Sequence, residues 1–149
     1  MSDYAGNIWV DAPDWGGGVG AVRLVRAPGG TLNAAIWELQ PGAAQMVYHF
    51  HHASQELLVV LRGSPTVRMY DGDRTLAEGD VLPFPAGPEG AHQIRNDGDS
   101  VTRVLIVAAN ADPDVAEYPD TGKVAIVTGG SHRFHRVADA VENAGPDPA

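Results

Sequence analysis

From about residue 20 to residue 110, turn signals recur every 8–12 residues or so, and no 3.6-residue apolar period survives between them. The signals are Pro28-Gly29-Gly30, Pro41-Gly42, Arg62-Gly63-Ser64-Pro65, Asp71-Gly72, Gly79-Asp80 and Asn96-Asp97-Gly98-Asp99. A chain cut this often cannot build long helices. It reads as about nine short strands, over 21–26, 34–39, 45–51, 57–61, 66–70, 74–78, 81–84, 91–95 and 101–109. The run Leu57 to Leu61 does not alternate, as expected of a strand covered on both faces. Pro83 assigns the strand 81–84 to a sheet edge or a bulge, because proline has no N–H to give to a ladder. Asp71-Gly72 is the strongest hairpin signal. The expected architecture is all-β, an antiparallel sandwich or barrel. Its core candidates are Ile36, Leu58, Val60, Val81, Ile94 and Leu105.

The ends read differently. Residues 1–19 are expected to form an arm, with Trp9 and Trp15 as anchors on the chain's own core or on a second subunit and Gly16-Gly17-Gly18 as a flexible end. The proline-bearing acidic stretch 110–122 reads as a loop or crossover, with Asp112, Asp114 and Asp120 on a solvated surface along with Asp99. Lys123 to Thr128 is expected as a last strand, pairing with the arm; 133–143 as a short turn of helix; and Gly145 to Ala149 as a frayed tail. With 149 residues and no long linker, the chain reads as one domain: a barrel over about 20–128, the arm, and a tail over 129–149.

Charge and composition mainly exclude. Ten basic against nineteen acidic residues give a formal charge of −9, unsuited to phosphate backbones or anionic lipid, so neither nucleic acid nor membrane is an expected partner. No apolar run is long enough to span a bilayer, and no basic segment followed by an apolar one opens the chain, which sets the cytoplasm as the expected location. Cysteine is absent, so any metal must be held by nitrogen and oxygen.

The chemistry concentrates in residues 42–63. His49 and His51 are two apart, so on a strand both side chains project to one face. A polar connection, Ala53-Ser54-Gln55, leads to Glu56, and a hairpin there would return its carboxylate beside the imidazoles. A His-Phe-His-His run alone is more often a loop; two imidazoles and a carboxylate on paired strands make a shell for a divalent transition metal. His92 is the candidate fourth ligand. His52, adjacent to His51, should face away, as should Tyr48; Gln55 suits a neutral hydrogen-bonding role; His132 and His135 lie beyond the cluster and read as solvated. Trp37 and Met46 suit packing or ligand contact equally.

These residues carry a resemblance. Gly42, five residues, Tyr48, His49-Phe50-His51, four residues, Glu56, six residues and Gly63 resemble the first signature motif of the cupins. Gly79, five residues, Pro85-Ala86-Gly87, then His92, three residues and Asn96 resemble the second, and the fifteen-residue spacer between the motifs is as short as such spacers usually get. There are two departures. The first histidine falls one residue late after Gly42, and two extra residues within Pro88-Glu89-Gly90-Ala91 precede His92. Both are similar to a branch of single-domain bacterial cupins. The resemblance implies a double-stranded β-helix (jelly-roll barrel), one divalent metal (Fe, Mn, Ni or Zn) on His49, His51, Glu56 and His92, and a homodimer. It implies a small metal-dependent enzyme acting on a small organic substrate, with a dioxygenase-type oxidoreductase as the first expectation. A cupin isomerase or lyase, and a non-catalytic ligand-binding protein, are the alternatives.

Overall fold

A computed structural model describes residues 8–9, 21–26 and 30–141, with only the backbone described for 21–26. The expectations for Trp15, the Gly16–Gly18 run, the Pro28-Gly29 part of the first turn and the Gly145–Ala149 tail fall outside these residues. Twelve strands are described: β1 (Ala21–Arg26), β2 (Leu32–Leu39), β3 (Ala44–His51), β4 (Gln55–Arg62), β5 (Thr66–Met69), β6 (Gly72–Thr75), β7 (Val81–Phe84), β8 (His92–Arg95), β9 (Thr102–Ala109), β10 (Asp114–Tyr118), β11 (Lys123–Thr128) and β12 (Ser131–Arg136). They form a five-stranded sheet in the order β1-β2-β9-β4-β7 and a seven-stranded sheet in the order β12-β11-β10-β3-β8-β5-β6, with every described pairing antiparallel. This is the jelly-roll barrel that the turn pattern and the motifs predicted. Strand β7, with its proline, lies at a sheet edge as expected.

The apolar face of each sheet turns inward. Leu58 and Val60 of β4, Val67 and Met69 of β5, Ile94 of β8, and Val104 and Ile106 of β9 meet Leu39, Ala43 and Phe84 in one cluster, all buried. Trp37 packs against this cluster. Ile36 is buried on the other side of its sheet with Leu61, where Ile8, Val59 and Leu105 cover it, so Ile8 of the arm packs on the core. Trp9, the expected anchor, is 69% exposed. Val81, expected in the core, is exposed on the edge strand.

Asn96 locks the turn after β8. Its buried side chain donates from Nδ2 to the Leu39 and Ser100 carbonyls, both at 2.8 Å, and accepts the Gly98 N–H at 3.1 Å. Gly63 has φ +80°, and a Cβ there would fall 2.8 Å from Thr102 Oγ1, so both backbone angle and space demand glycine.

The C-terminal third departs from expectation. The stretch 110–122 contains β10, which pairs with both β3 and β11. Strand β11 pairs with β10 and β12, not with the arm. Residues 131–136 form β12 rather than helix, followed by a single 3-10 turn at Val137–Asp139. All six β12 residues are exposed, so no apolar alternation marked the strand. No helix among the described residues is long and apolar enough to cross a membrane.

Candidate metal centre

His49 and His51 project from β3 and His92 from β8, its neighbour in the seven-stranded sheet, where His49 and His92 are directly paired. Glu56 arrives from the opposite sheet. Strands β3 and β4 do not form the expected hairpin, because residues 52–54 cross between the sheets and Glu56 faces the imidazoles across the barrel. Inward positions on β4 run Glu56, Leu58, Val60, and on β8 His92, Ile94, so the polar cluster sits directly on the hydrophobic core.

One ligand atom each from His49, His51 and Glu56 lies within 4.8 Å of the others, a group able to hold a metal ion. His92 completes the cluster, with Nε2 3.3 Å from Glu56 Oε2 and its ring centroid 4.8 Å from that of His49. All four residues picked out in the sequence are therefore brought together. Phe84, paired with Glu56 across β4 and β7, stacks flat on His92 with centroids 3.6 Å apart.

Each imidazole is oriented through Nδ1. His49 Nδ1 donates to the Val47 carbonyl at 2.8 Å, His92 Nδ1 to the Gly90 carbonyl at 2.9 Å, and His51 Nδ1 to Asp114 Oδ2 at 2.7 Å. Carbonyls and carboxylates only accept, so the proton is on Nδ1 in all three rings and Nε2 holds the available lone pair. The His92 Nε2 lone pair then faces a Glu56 oxygen across 3.3 Å. Two acceptors that close repel unless a proton or a cation lies between them. That donor set, three imidazole nitrogens and a carboxylate without thiolate, fits a divalent transition metal.

Both departures from the motif pattern supply these carbonyls. On β3 the register advances from Gln45 to His49 while β8 moves only from Ile94 to His92, so the extra residues form a bulge. Met46 in that bulge has φ 57°, the one described non-glycine residue in the left-handed region, and is half exposed. Gln93 Nε2 takes up the Met46 carbonyl at 3.0 Å, and the Val47 carbonyl is left to hold His49. The extra residues before His92 form a 3-10 turn, Pro88–Gly90, whose last carbonyl holds His92.

Asp114 was expected on a solvated surface. It is 4% exposed: Oδ1 accepts the backbone N–H groups of Ala53 and Val115, and Oδ2 holds His51. Burial works to raise its pKa, but hydrogen bonds from Ser54, His51 and Ala53 outweigh that and hold the carboxyl below its usual value. Glu56 follows the same balance: burial works to raise its pKa, the close approach of His92 and the nearby His51 and His49 rings lower it, and the net shift is downward. Burial, reinforced by the His92 charge, pushes His49 down to about 4, so it is neutral and able to ligate at neutral pH. His52 faces away as expected and meets Glu117 at 3.2 Å near the surface. Tyr48 is buried on the outer face under the Arg68 guanidinium, 3.9 Å above its ring, and Arg68 is clamped by both oxygens of Asp120, correcting the reading of Asp120 as merely solvated.

Comparison with known proteins agrees with the fold. Residues 35–108 match the Cupin_2 family model, described as a cupin domain. A solved structure from Acidithiobacillus ferrooxidans, provisionally named a sugar phosphate isomerase, is 29% identical with a TM-score of 0.71, covering 77% of this chain and 73% of that one. A sugar phosphate isomerase of the cupin superfamily from Silicibacter pomeroyi is 23% identical with the same TM-score of 0.71, covering 81% and 80%. A Thermus thermophilus protein is 28% identical with a TM-score of 0.56, covering 64% and 87%. No curated protein matches by sequence. A barrel of two antiparallel sheets with a histidine–carboxylate cluster inside defines a class, and the chain belongs to the cupin family.

Proposed function

We propose that the protein is a metal-dependent isomerase of a small phosphorylated hydroxy-carbonyl compound, with His49, His51, Glu56 and His92 as the metal ligands. One row of side chains carries this reading. Continuing the β3–β10 register from Ala116 opposite His51 sets Tyr118 opposite His49, and their rings stack at 5.8 Å. Tyr118 is paired with Lys123, and Lys123 with Arg136. Residues directly opposite each other share a sheet face, so His92, His49, Tyr118, Lys123 and Arg136 lie along one face. At about 4.8 Å per strand, Lys123 is about 10 Å and Arg136 about 14 Å from His49.

In a chain of charge −9, residues 123–136 contain no acidic side chain. Among the described residues, Arg68, Arg74, Arg95 and Arg103 are in ion pairs, whereas no acidic partner engages Lys123 or Arg136. These two cations hold the anionic end of the substrate while its carbonyl end reaches the cluster. A bound divalent metal supplies a Lewis acid for the carbonyl oxygen and the adjacent hydroxyl. Tyr118, with its pKa raised by burial, forms a neutral wall between the two ends, and the Glu56 carboxylate oxygen not used as a ligand is the base for the moving proton. The relative from Acidithiobacillus ferrooxidans supports isomerisation ahead of oxygen chemistry as the reaction.

Incubation of metal-loaded protein with pentose and hexose phosphates in deuterium oxide tests this reading. Aldose–ketose interconversion with deuterium entering beside the carbonyl is expected, and Glu56→Gln should abolish it. Oxygen consumption without interconversion would return the dioxygenase reading. Saturable binding without turnover would leave a ligand-binding protein.

A further inference from the structure

Only two buried side-chain oxygens among the described residues have no hydrogen-bond partner, Gln45 Oε1 and Asn33 Oδ1. Both belong to the inner faces that flank the metal cluster. Gln45 is 7% exposed and is paired with Ile94, which is 0% exposed in the core, so its side chain turns into the barrel one ladder step from the His49–His92 pair. Asn33 is paired with Ala108, and Ala108 with Glu56, which sets Asn33 on the inner face of the other sheet, two strands from the carboxylate. An unpaired buried amide oxygen is costly, and native structures keep few of them without a use.

The strand carrying Gln45 also shows why the cost is tolerated. Gln45 immediately precedes the bulge that turns the Val47 carbonyl toward His49, so its position is fixed by the same local geometry that orients a ligand. Leucine or methionine would fill this place in the core at no polar cost. A side chain that keeps an unanswered acceptor beside the cluster is suited to a hydroxyl group brought by the ligand.

We propose that Gln45, with Asn33 across the barrel, forms a hydroxyl-accepting subsite beside the metal cluster that selects polyhydroxylated ligands. The inference rests on the proposed function for the identity of the ligand's reacting end, but the subsite itself needs only hydroxyl groups.

Two probes separate the claims: erythritol, which has hydroxyls but neither carbonyl nor phosphate, and ribose 5-phosphate. Binding is read by calorimetry on the metal-loaded wild type and on Gln45→Met, which keeps the side-chain length and removes the amide. The variant should bind both probes about 10-fold more weakly, as expected for one lost hydrogen bond, with unchanged metal content. Melting of the metal-free variant should be no lower than that of wild type, because a partnerless acceptor has been removed. Equal affinity of wild type and variant for both probes, no binding of either probe to wild type, or a lower melting temperature in the metal-free variant would overturn the subsite. Binding of both probes with the expected loss, but no isomerisation of ribose 5-phosphate, would sustain the subsite and overturn the proposed reaction.

Discussion

Gly90→Ala tests whether the turn before His92 positions that ligand. Gly90 is not in the left-handed region, so alanine brings no backbone strain there; the effect is steric. Its Cβ would lie 1.8 Å from the Pro85 carbonyl oxygen and 2.9 Å from the Pro85 carbonyl carbon, both rigid backbone. Ordinary contact needs about 3.5 Å, so one segment must retreat by about 1.7 Å. Gly90 also presents the carbonyl that accepts His92 Nδ1–H at 2.9 Å, and a displacement of that size breaks the bond. Overpacking contributes about 1–3 kcal/mol and the orphaned buried donor a similar amount, together about 4 kcal/mol. For a domain of this size that lowers the melting temperature by about 8–16 °C. Metal affinity should fall by about 10- to 100-fold as His92 loses its orientation. Calorimetric melting and competition with a metal-sensitive chelator read the two effects. Gly98→Ala is the control: its Cβ meets only Asn96 Oδ1, at 3.4 Å, and should change stability by less than about 1 kcal/mol. A Gly90→Ala protein that melts with wild type and binds metal equally well would refute the reasoning.

Three further outcomes follow from the same geometry. Asp114→Asn should weaken metal binding by about 10- to 100-fold, because His51 loses its carboxylate partner, and chelator competition measures it. In metal-free protein, His49 has its pKa lowered from 6.5 to about 4, so the unfolded chain takes up its proton first; the stability this gives is full above pH 6.5 and is lost as pH falls toward 4, about 3 kcal/mol in all. Urea unfolding between pH 7 and 4 should show that loss in wild type and a smaller one in His49→Gln. Asn96→Ala should cost about 3 kcal/mol, since it strands the Leu39 and Ser100 carbonyls and the Gly98 N–H, and denaturant melts would show it.

The candidate ligands were legible because their geometry is local. A two-residue step on a strand sets His49 and His51 on one face whatever the fold, and the second motif brings in His92. The sheet exchange between β3 and β4 was not legible, since a short polar connection serves a hairpin and a crossing equally well. Asp114 was hidden for another reason. It stands 63 positions from His51, in a stretch whose acids and Pro113 read as a loop, and only the β3–β10 pairing gives it a role. The bulge at Met46 has no glycine to announce it, and β12 has no buried face to impose a period. Residues that act through long-range pairing leave no short-range pattern.

The central claim is a metal held by four side chains, and elemental analysis of the purified protein beside a His51→Ala, His92→Ala double variant tests it most directly. About one equivalent of iron, manganese, nickel or zinc in the wild type, lost in a variant that still folds, is the predicted result. A wild-type protein that carries no metal and takes up none of the four on reconstitution would contradict it.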